Sequence, residues 1–91
     1  MRTDTKRNCG DRLKRIEGQV RGIARMIEED RYCIDVLTQV RAVRAALRGV
    51  EDEVLKDHVE HCVEGAIASG DGSEQRRKVQ ELLTVLTQRD R

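Results

Sequence analysis

Apolar residues recur at helical spacing along most of the chain. The first set alternates separations of three and four residues and comprises Leu13, Ile16, Val20, Ile23 and Ile27. This spacing predicts an amphipathic helix that starts at Asp11, and residues 1–10 before it are predicted to form a flexible tail. Gly18 and Gly22 lower the helix propensity of this segment, so we expect another helix to pack closely against them.

A second set of apolar positions follows a short connection at residues 29–31. It keeps the same spacing and comprises Val36, Val40, Val43, Leu47, Val50, Val54, Leu55, Val59, Val63 and Ile67. Proline is absent, and a single glycine such as Gly49 is usually tolerated inside a sustained pattern. The pattern therefore predicts one helix over residues 32–69, about 55 Å long at 1.5 Å per residue, with a bend at Gly49.

The clearest loop is the Ser-Gly-Asp-Gly-Ser segment at residues 69–73. Gly70 is placed to stop the long helix, and Ser73 is placed to cap the next one. That third, shorter helix is predicted from Val79, Leu82, Leu83 and Leu86. The predicted fold class is all-α, with three helices in the order short, long, short.

The length and composition predict one small domain over residues 1–91 that associates with other copies. Tyr32 is the one aromatic residue, and charged residues make up 38% of the chain against 37% hydrophobic, so a single chain has little with which to fill a core. No apolar run is long enough to span a bilayer, and the N-terminus has no apolar signal stretch. We therefore expect a cytoplasmic protein with no membrane partner.

The charge is distributed unevenly although the net charge is only +1. Residues 1–48 carry 12 Lys and Arg against 7 Asp and Glu, whereas residues 49–91 carry 6 against 10. A basic first half suits an anionic partner, and it is equally explained by an ordinary solvated helix face.

The cysteines and histidines suggest a metal site shared between two chains. The three cysteines include no CxxC pair, which favours free thiols or metal ligands. His58 and Cys62 are four residues apart and share a helix face, while His61 lies off that face. Cys33 precedes His58 by 25 residues, about 37 Å along one helix. Antiparallel pairing of the long helices of two chains would join all three ligands and form two equivalent sites per dimer.

Two thiolates and one imidazole form a soft ligand set that suits Cu(I), and a fourth ligand would allow Zn(II). The alternative is a structural helical assembly module without a ligand, in which Cys33 and Cys62 are packing residues and His58 is a satisfied interface histidine. An enzyme is not supported, since the sequence has no Ser/His/Asp set, paired catalytic carboxylates or phosphate loop.

Three stretches of the sequence resemble one known family. RLKRIEGQVRGI at residues 12–23, RYCIDVLTQV at 31–40 and HVEHC at 58–62 are similar to the CsoR/RcnR family of bacterial metal-sensing repressors, and the likeness covers nearly the whole chain. The resemblance implies three-helix protomers, an antiparallel helical-bundle dimer and a dimer-of-dimers tetramer that binds operator DNA without a helix-turn-helix. It also implies a Cu(I) site formed by Cys33, His58 and Cys62 from two protomers.

Departures between branches of that family favour copper. The nickel/cobalt and formaldehyde branches are expected to use an additional N-terminal group, a His near the start or a Pro in position two, and this chain begins Met1-Arg2-Thr3. The persulfide-sensing branch lacks the histidine that His58 provides here. The resemblance thus indicates a Cu(I)-responsive repressor whose apo form binds operator DNA and whose loading with Cu(I) derepresses copper-resistance genes. The alternative within the family is a persulfide-sensing repressor.

Further residues follow from the resemblance. Tyr32 and Glu81 match an outer shell around the ligand histidine, although placing Glu81 requires extra residues in the loop after Cys62, because Lys78 takes the ungapped position. Cys9 lies outside the motif and is expected to be a free surface thiol. The residues expected to contact DNA phosphates are Arg12, Lys14, Arg15, Arg44 and Arg48.

Overall fold

A computed structural model describes residues 1–88 as an almost continuous series of helices. They are α1 (Thr3–Glu28), α2 (Cys33–Asp57), a π-helical segment (His58–Val63), α3 (Glu64–Ser69) and α4 (Gly72–Gln88). The backbone stays in the right-handed helical region through Asp57, His58, Val63 and Glu64, so residues 33–69 form one long helix. The predicted all-α fold of three helices is confirmed, and the described residues contain no strand.

The first helix is longer than predicted, because α1 begins at Thr3 rather than Asp11. The flexible tail predicted for residues 1–10 is therefore wrong. Thr5 and Cys9 are buried on the same face as Ile16, and they extend the buried stripe of α1 by two turns with side chains too small and polar to register as an apolar pattern. Asp4 in the first turn also suits the positive end of the helix dipole.

The first two helices pack side by side in antiparallel orientation. Arg2 at one end of α1 hydrogen bonds to Asp57 at the far end of α2, and Arg12 pairs with Glu53. A Cβ at Gly49 would lie 3.1 Å from Arg12 Nη1, so the missing side chain leaves room for the Arg12 guanidinium against α2. Gly49 lies within regular α2, and the irregular part of the long helix is the π-helical segment instead.

Two other details of the predicted helices differ in the structure. A Cβ at Gly18 would have only the Arg21 side chain nearby, at 3.9 Å, and one at Gly22 would have no neighbour within 4 Å. The close helix packing predicted at these glycines is therefore absent within residues 1–88 of a single protomer. Among the described residues, no contact requires glycine at either position.

The turn before α4 confirms one predicted cap and corrects the other. Gly70 has a φ of 72° and ends α3 in the left-handed conformation that favours glycine. The N-cap of α4 is Asp71 rather than Ser73, since Asp71 Oδ1 accepts hydrogen bonds from the backbone N–H groups of Ser73 and Glu74 at 2.9 and 3.3 Å. A carboxylate just before the first turn satisfies two free donors that a serine inside the helix cannot reach.

A single protomer is thin and covers little of its apolar surface. Its extents are 58 × 27 × 13 Å, and its radius of gyration is 17.8 Å, against about 12 Å for a compact domain of this length. Ile27, Ile34 and Leu83 are each more than half exposed. Among the described residues, the buried apolar side chains are Cys9, Ile16, Val43 and Ala66. The predicted stripes thus remain largely uncovered. Within residues 1–88, no helix is long and apolar enough to cross a membrane.

Candidate metal centre and nucleic-acid interface

The three predicted metal ligands lie at two distant places in the protomer. His58 and Cys62 belong to the π-helical segment, and Cys33 is the first residue of α2. Both cysteines are exposed free thiols, and His58 is half-buried. Among residues 1–88, no group of three or more His, Cys, Asp or Glu side chains is placed to hold a metal ion. One protomer therefore brings His58 and Cys62 into the same segment and leaves Cys33 far from them.

The π-helical geometry of this segment was not predicted from the sequence. Each π turn contains one residue more than an α turn, and such turns often occur at functional sites. Here the wide turn contains His58, Cys62 and the exposed His61. The π-helical segment therefore sets the relative position of the two ligands, which the sequence had placed on a regular α-helix.

His58 opens onto a groove between α2 and α4. The groove has a volume of about 890 Å³ and is also lined by Glu51, Leu55, Arg77 and Glu81. Glu81, the predicted outer-shell acid, therefore shares this groove with the candidate ligand, and its Oε2 atom lies 3.6 Å from Lys78 Nζ.

Tyr32 does not join this group within one protomer. It is 67% exposed and lies at the N-cap of α2, next to Cys33. The predicted outer shell is thus divided in the same way as the ligands, with Tyr32 beside Cys33 at one end of α2 and Glu81 beside His58 at the other.

A buried carboxylate precedes His58 and binds the start of α1. Asp57 is 5% exposed, and its Oδ1 atom accepts hydrogen bonds from the Arg2 backbone N–H at 3.1 Å and the Thr5 hydroxyl at 3.0 Å. Burial by itself raises the pKa of Asp57, but these two hydrogen bonds and the positive charges of the N-terminus and His61 outweigh it and lower the pKa. Asp57 is therefore held as a carboxylate next to the candidate ligand.

Cys9 lies apart from the candidate ligands and differs from them chemically. It is 6% exposed, which corrects the prediction of a surface thiol, and its Sγ donates to Glu53 Oε2 at 3.6 Å. Burial and the neighbouring Glu53 carboxylate raise the pKa of the Cys9 thiol. Because metals bind the thiolate, Cys9 is poorly suited to be a ligand.

Four of the five predicted DNA contacts lie together on the packed pair α1 and α2. Arg12 and Arg15 of α1 line a cavity of about 380 Å³, and Arg44 and Arg48 of α2 line a neighbouring one of about 270 Å³. Ala45 lines both. We call this region the arginine surface, and it comprises Arg12, Arg15, Arg41, Arg44 and Arg48.

Arg41 is the member that sequence reasoning missed. It lines the second cavity together with Arg44 and Arg48, and its separations of three and seven residues from them are the helical signal that could have identified it. Lys14 is exposed and lines neither cavity, because it is two residues from Arg12 and points away from that face.

Comparison with known proteins identifies the family. The sequence profile of the metal-sensitive transcriptional repressors matches residues 5–88. The chain belongs to this family. The resemblance predicted from the three sequence stretches is thereby confirmed.

Relatives of this metal-sensitive transcriptional repressor include named copper sensors. The chain is 62% identical over 68 residues to the copper-sensing transcriptional repressor RicR of Mycobacterium tuberculosis, with 75% of this chain and 71% of the relative covered. It is 56% identical over 75 residues to the copper-sensing transcriptional repressor CsoR of Bacillus subtilis, with 82% and 71% covered.

Solved structures of two regulators share the fold of this metal-sensitive repressor. The copper-sensing repressor CsoR with Cu(I) from Geobacillus thermodenitrificans superimposes with a TM-score of 0.90 and 43% identity, covering 100% of this chain and 92% of that one. The nickel-responsive transcriptional regulator InrS superimposes with a TM-score of 0.76 and 40% identity, covering 86% and 88%. The helical arrangement is therefore common to copper and nickel regulators, so the metal must be argued from the ligands.

Proposed function

We propose that this metal-sensitive transcriptional repressor responds to Cu(I): the apo protein binds operator DNA, and Cu(I) binding weakens that complex and derepresses copper-resistance genes. The observation that carries the proposal is the chemistry and placement of the candidate ligands. Cys33 and Cys62 are exposed free thiols, His58 is half-buried, and residues 1–88 of one protomer do not assemble a three-ligand site. The copper-sensing relatives and the Cu(I)-bound structural neighbour support it.

The donor set favours Cu(I) over Ni(II). Two thiolates and one imidazole form a soft set, and soft ligands select Cu(I), whereas Ni(II) prefers square-planar nitrogen and oxygen donors. A nickel response is the second candidate, since the nickel-responsive regulator InrS has a similar fold. The additional nitrogen donor that a nickel site could use is His61, an exposed imidazole in the π-helical segment.

The site is completed between two protomers in this proposal. The long helices pair in antiparallel orientation, so that Cys33 of one protomer lies beside His58 and Cys62 of the other. The same pairing brings Tyr32 of the first protomer towards Glu81 of the second. The uncovered apolar stripes of the single protomer supply the surface for this dimer. The half-exposed Val79, Leu83 and Leu86 of α4 offer further surface for a dimer-of-dimers tetramer.

DNA binding is assigned to the arginine surface. Its guanidinium groups neutralise phosphates of operator DNA and position the protein on the duplex. This places the protein's action in the cytoplasm. The protein acts by binding rather than by catalysis. Because binding equilibria at two sites are linked, operator DNA must weaken Cu(I) affinity by the same factor by which Cu(I) weakens DNA affinity.

The deciding experiment is an anaerobic titration with Cu(I) in competition with a chelator, followed by fluorescence anisotropy on a duplex selected by the apo protein from a random library. We expect one Cu(I) per protomer and a decrease in DNA affinity of about 5- to 150-fold. Release of DNA by Ni(II) or by a persulfide donor, with no response to Cu(I), would establish one of the alternative sensors. Absence of DNA binding in the apo protein would support a structural assembly module.

A further inference from the structure

The first turn of α1 is bonded to the residue that directly precedes His58. The Arg2 backbone N–H and the Thr5 hydroxyl both donate to Asp57 Oδ1, at 3.1 and 3.0 Å. Thr5 and Asp57 are 9% and 5% exposed, so water competes little for this acceptor. The three residues Arg2, Thr5 and Asp57 are named the N-terminal clamp.

A second contact joins the same two parts of the chain. The Arg2 guanidinium Nη1 lies 3.8 Å from Glu60 Oε2, and Glu60 is within the π-helical segment. Residues on both sides of His58 are thus bonded to the start of α1. A shift of the π-helical segment therefore displaces α1 as well as the long helix of residues 33–69.

The other end of this connection is the arginine surface. Helix α1 runs without a break for 26 residues from Thr3, and Arg12 and Arg15 follow Thr5 by about 10 and 15 Å at 1.5 Å per residue. An unbroken helix moves as a unit, so displacement of its first turn displaces both arginines. Arg44 and Arg48 of α2 follow the π-helical segment through the continuous long helix. The clamp joins α1 to that helix directly beside His58, whereas the Arg12–Glu53 pair joins them one turn earlier.

We propose that the N-terminal clamp holds the π-helical segment and transmits its position to α1, so that ligand occupancy at His58 moves Arg12 and Arg15 together with the arginines of α2. The proposal rests on the proposed function, whose regulation it explains. Thr5 is a positioning residue, since it belongs neither to the candidate ligands nor to the arginine surface and acts through Asp57.

The test compares Thr5→Val, which keeps the shape and removes the hydroxyl, with two controls. Thr5→Ser restores a hydroxyl, and Thr3→Val makes the same change at an exposed position two residues away. Anisotropy gives the ratio of operator dissociation constants for Cu(I)-loaded and apo protein. We expect Thr5→Val to lower this ratio about three- to tenfold, the effect of one typical intramolecular hydrogen bond. Both controls should match wild type, and copper stoichiometry should be unchanged in all of them.

A ratio for Thr5→Val equal to wild type would overturn the proposal, since a merely structural threonine would weaken both states alike. If Thr5→Val does not fold, Thr5→Ala replaces it, because it removes the same hydroxyl and leaves a smaller side chain. The ratio should fall in that variant too, and an unchanged ratio there counts equally against the clamp.

Amide hydrogen exchange on the apo proteins tests the clamp without copper. Thr5→Val should speed exchange both at residues 3–9 and in the π-helical segment, whereas Thr3→Val should leave the π-helical segment unchanged. Faster exchange at residues 3–9 alone would show that the clamp does not hold the segment and would overturn the proposal. If wild-type protein does not release DNA with Cu(I), the proposed function fails, and the clamp then stands or falls on this exchange result.

Discussion

Mixing two defective chains should restore half of the copper sites. Cys33→Ala and Cys62→Ala each remove one thiolate from every site of their own homodimer. In a mixed dimer, the intact Cys33 of one chain meets the intact His58 and Cys62 of the other, so one site is complete. The second site then lacks both thiolates. The prediction follows from the separation of about 37 Å between Cys33 and His58 along the long helix, which prevents one chain from supplying all three ligands of a site.

The expected copper content is one ion per mixed dimer, against two in wild type and none in either variant homodimer, in the presence of a chelator that removes copper from two-ligand sites. An affinity tag on one chain lets native mass spectrometry separate the compositions. A matched control mixes His58→Ala with Cys62→Ala, whose missing ligands belong to the same side of the site. Every site in that mixed dimer lacks one ligand, so it should retain no more copper than the average of the His58→Ala and Cys62→Ala homodimers.

Two results would refute this reasoning. A mixed dimer without copper would place all three ligands within one chain, despite the distance along α2. Full copper content in the Cys33→Ala or Cys62→Ala homodimer would show that the thiolates are not required and that these cysteines are packing residues.

Three further predictions concern release, DNA contact and acid stability. His58→Ala should bind operator DNA and keep some Cu(I) through the thiolates but no longer release DNA on loading; full release in anisotropy would remove the imidazole from the coupling. Arg15→Ala and Arg48→Ala should each flatten the slope of log K against log salt by about 0.9 with little change in copper affinity, and unaltered slopes would remove the arginine surface from DNA binding. Since folding lowers the pKa of Asp57, its stabilising effect is fully present above its unfolded pKa of about 3.9 and is lost as pH falls through the lower folded value. Thermal unfolding of wild type and Asp57→Asn should therefore converge in acid, and a difference that widens as pH falls would contradict this assignment.

The sequence alone determined the helices and the residue types of the candidate site. Apolar spacing depends on the local period of the helix, so it identified all three helical regions. Gly70 identified the end of the long helix because its left-handed conformation is a local property. Cys33, His58 and Cys62 were predicted as ligands from residue type and spacing, and the length of an ideal helix predicted that two chains would be needed to join them.

The tertiary structure decided what depends on distant partners. Thr5 and Cys9 became part of α1's buried face because they meet Asp57 and Glu53, which are 52 and 44 residues away along the chain. No local pattern records such contacts, so the same residues were predicted to form a flexible tail. The groove that joins His58 to Glu81 likewise requires the packing of α4 against the end of the long helix. Local periodicity is a property of neighbouring residues, whereas burial and hydrogen bonding between helices arise only when the folded chain brings separate segments together.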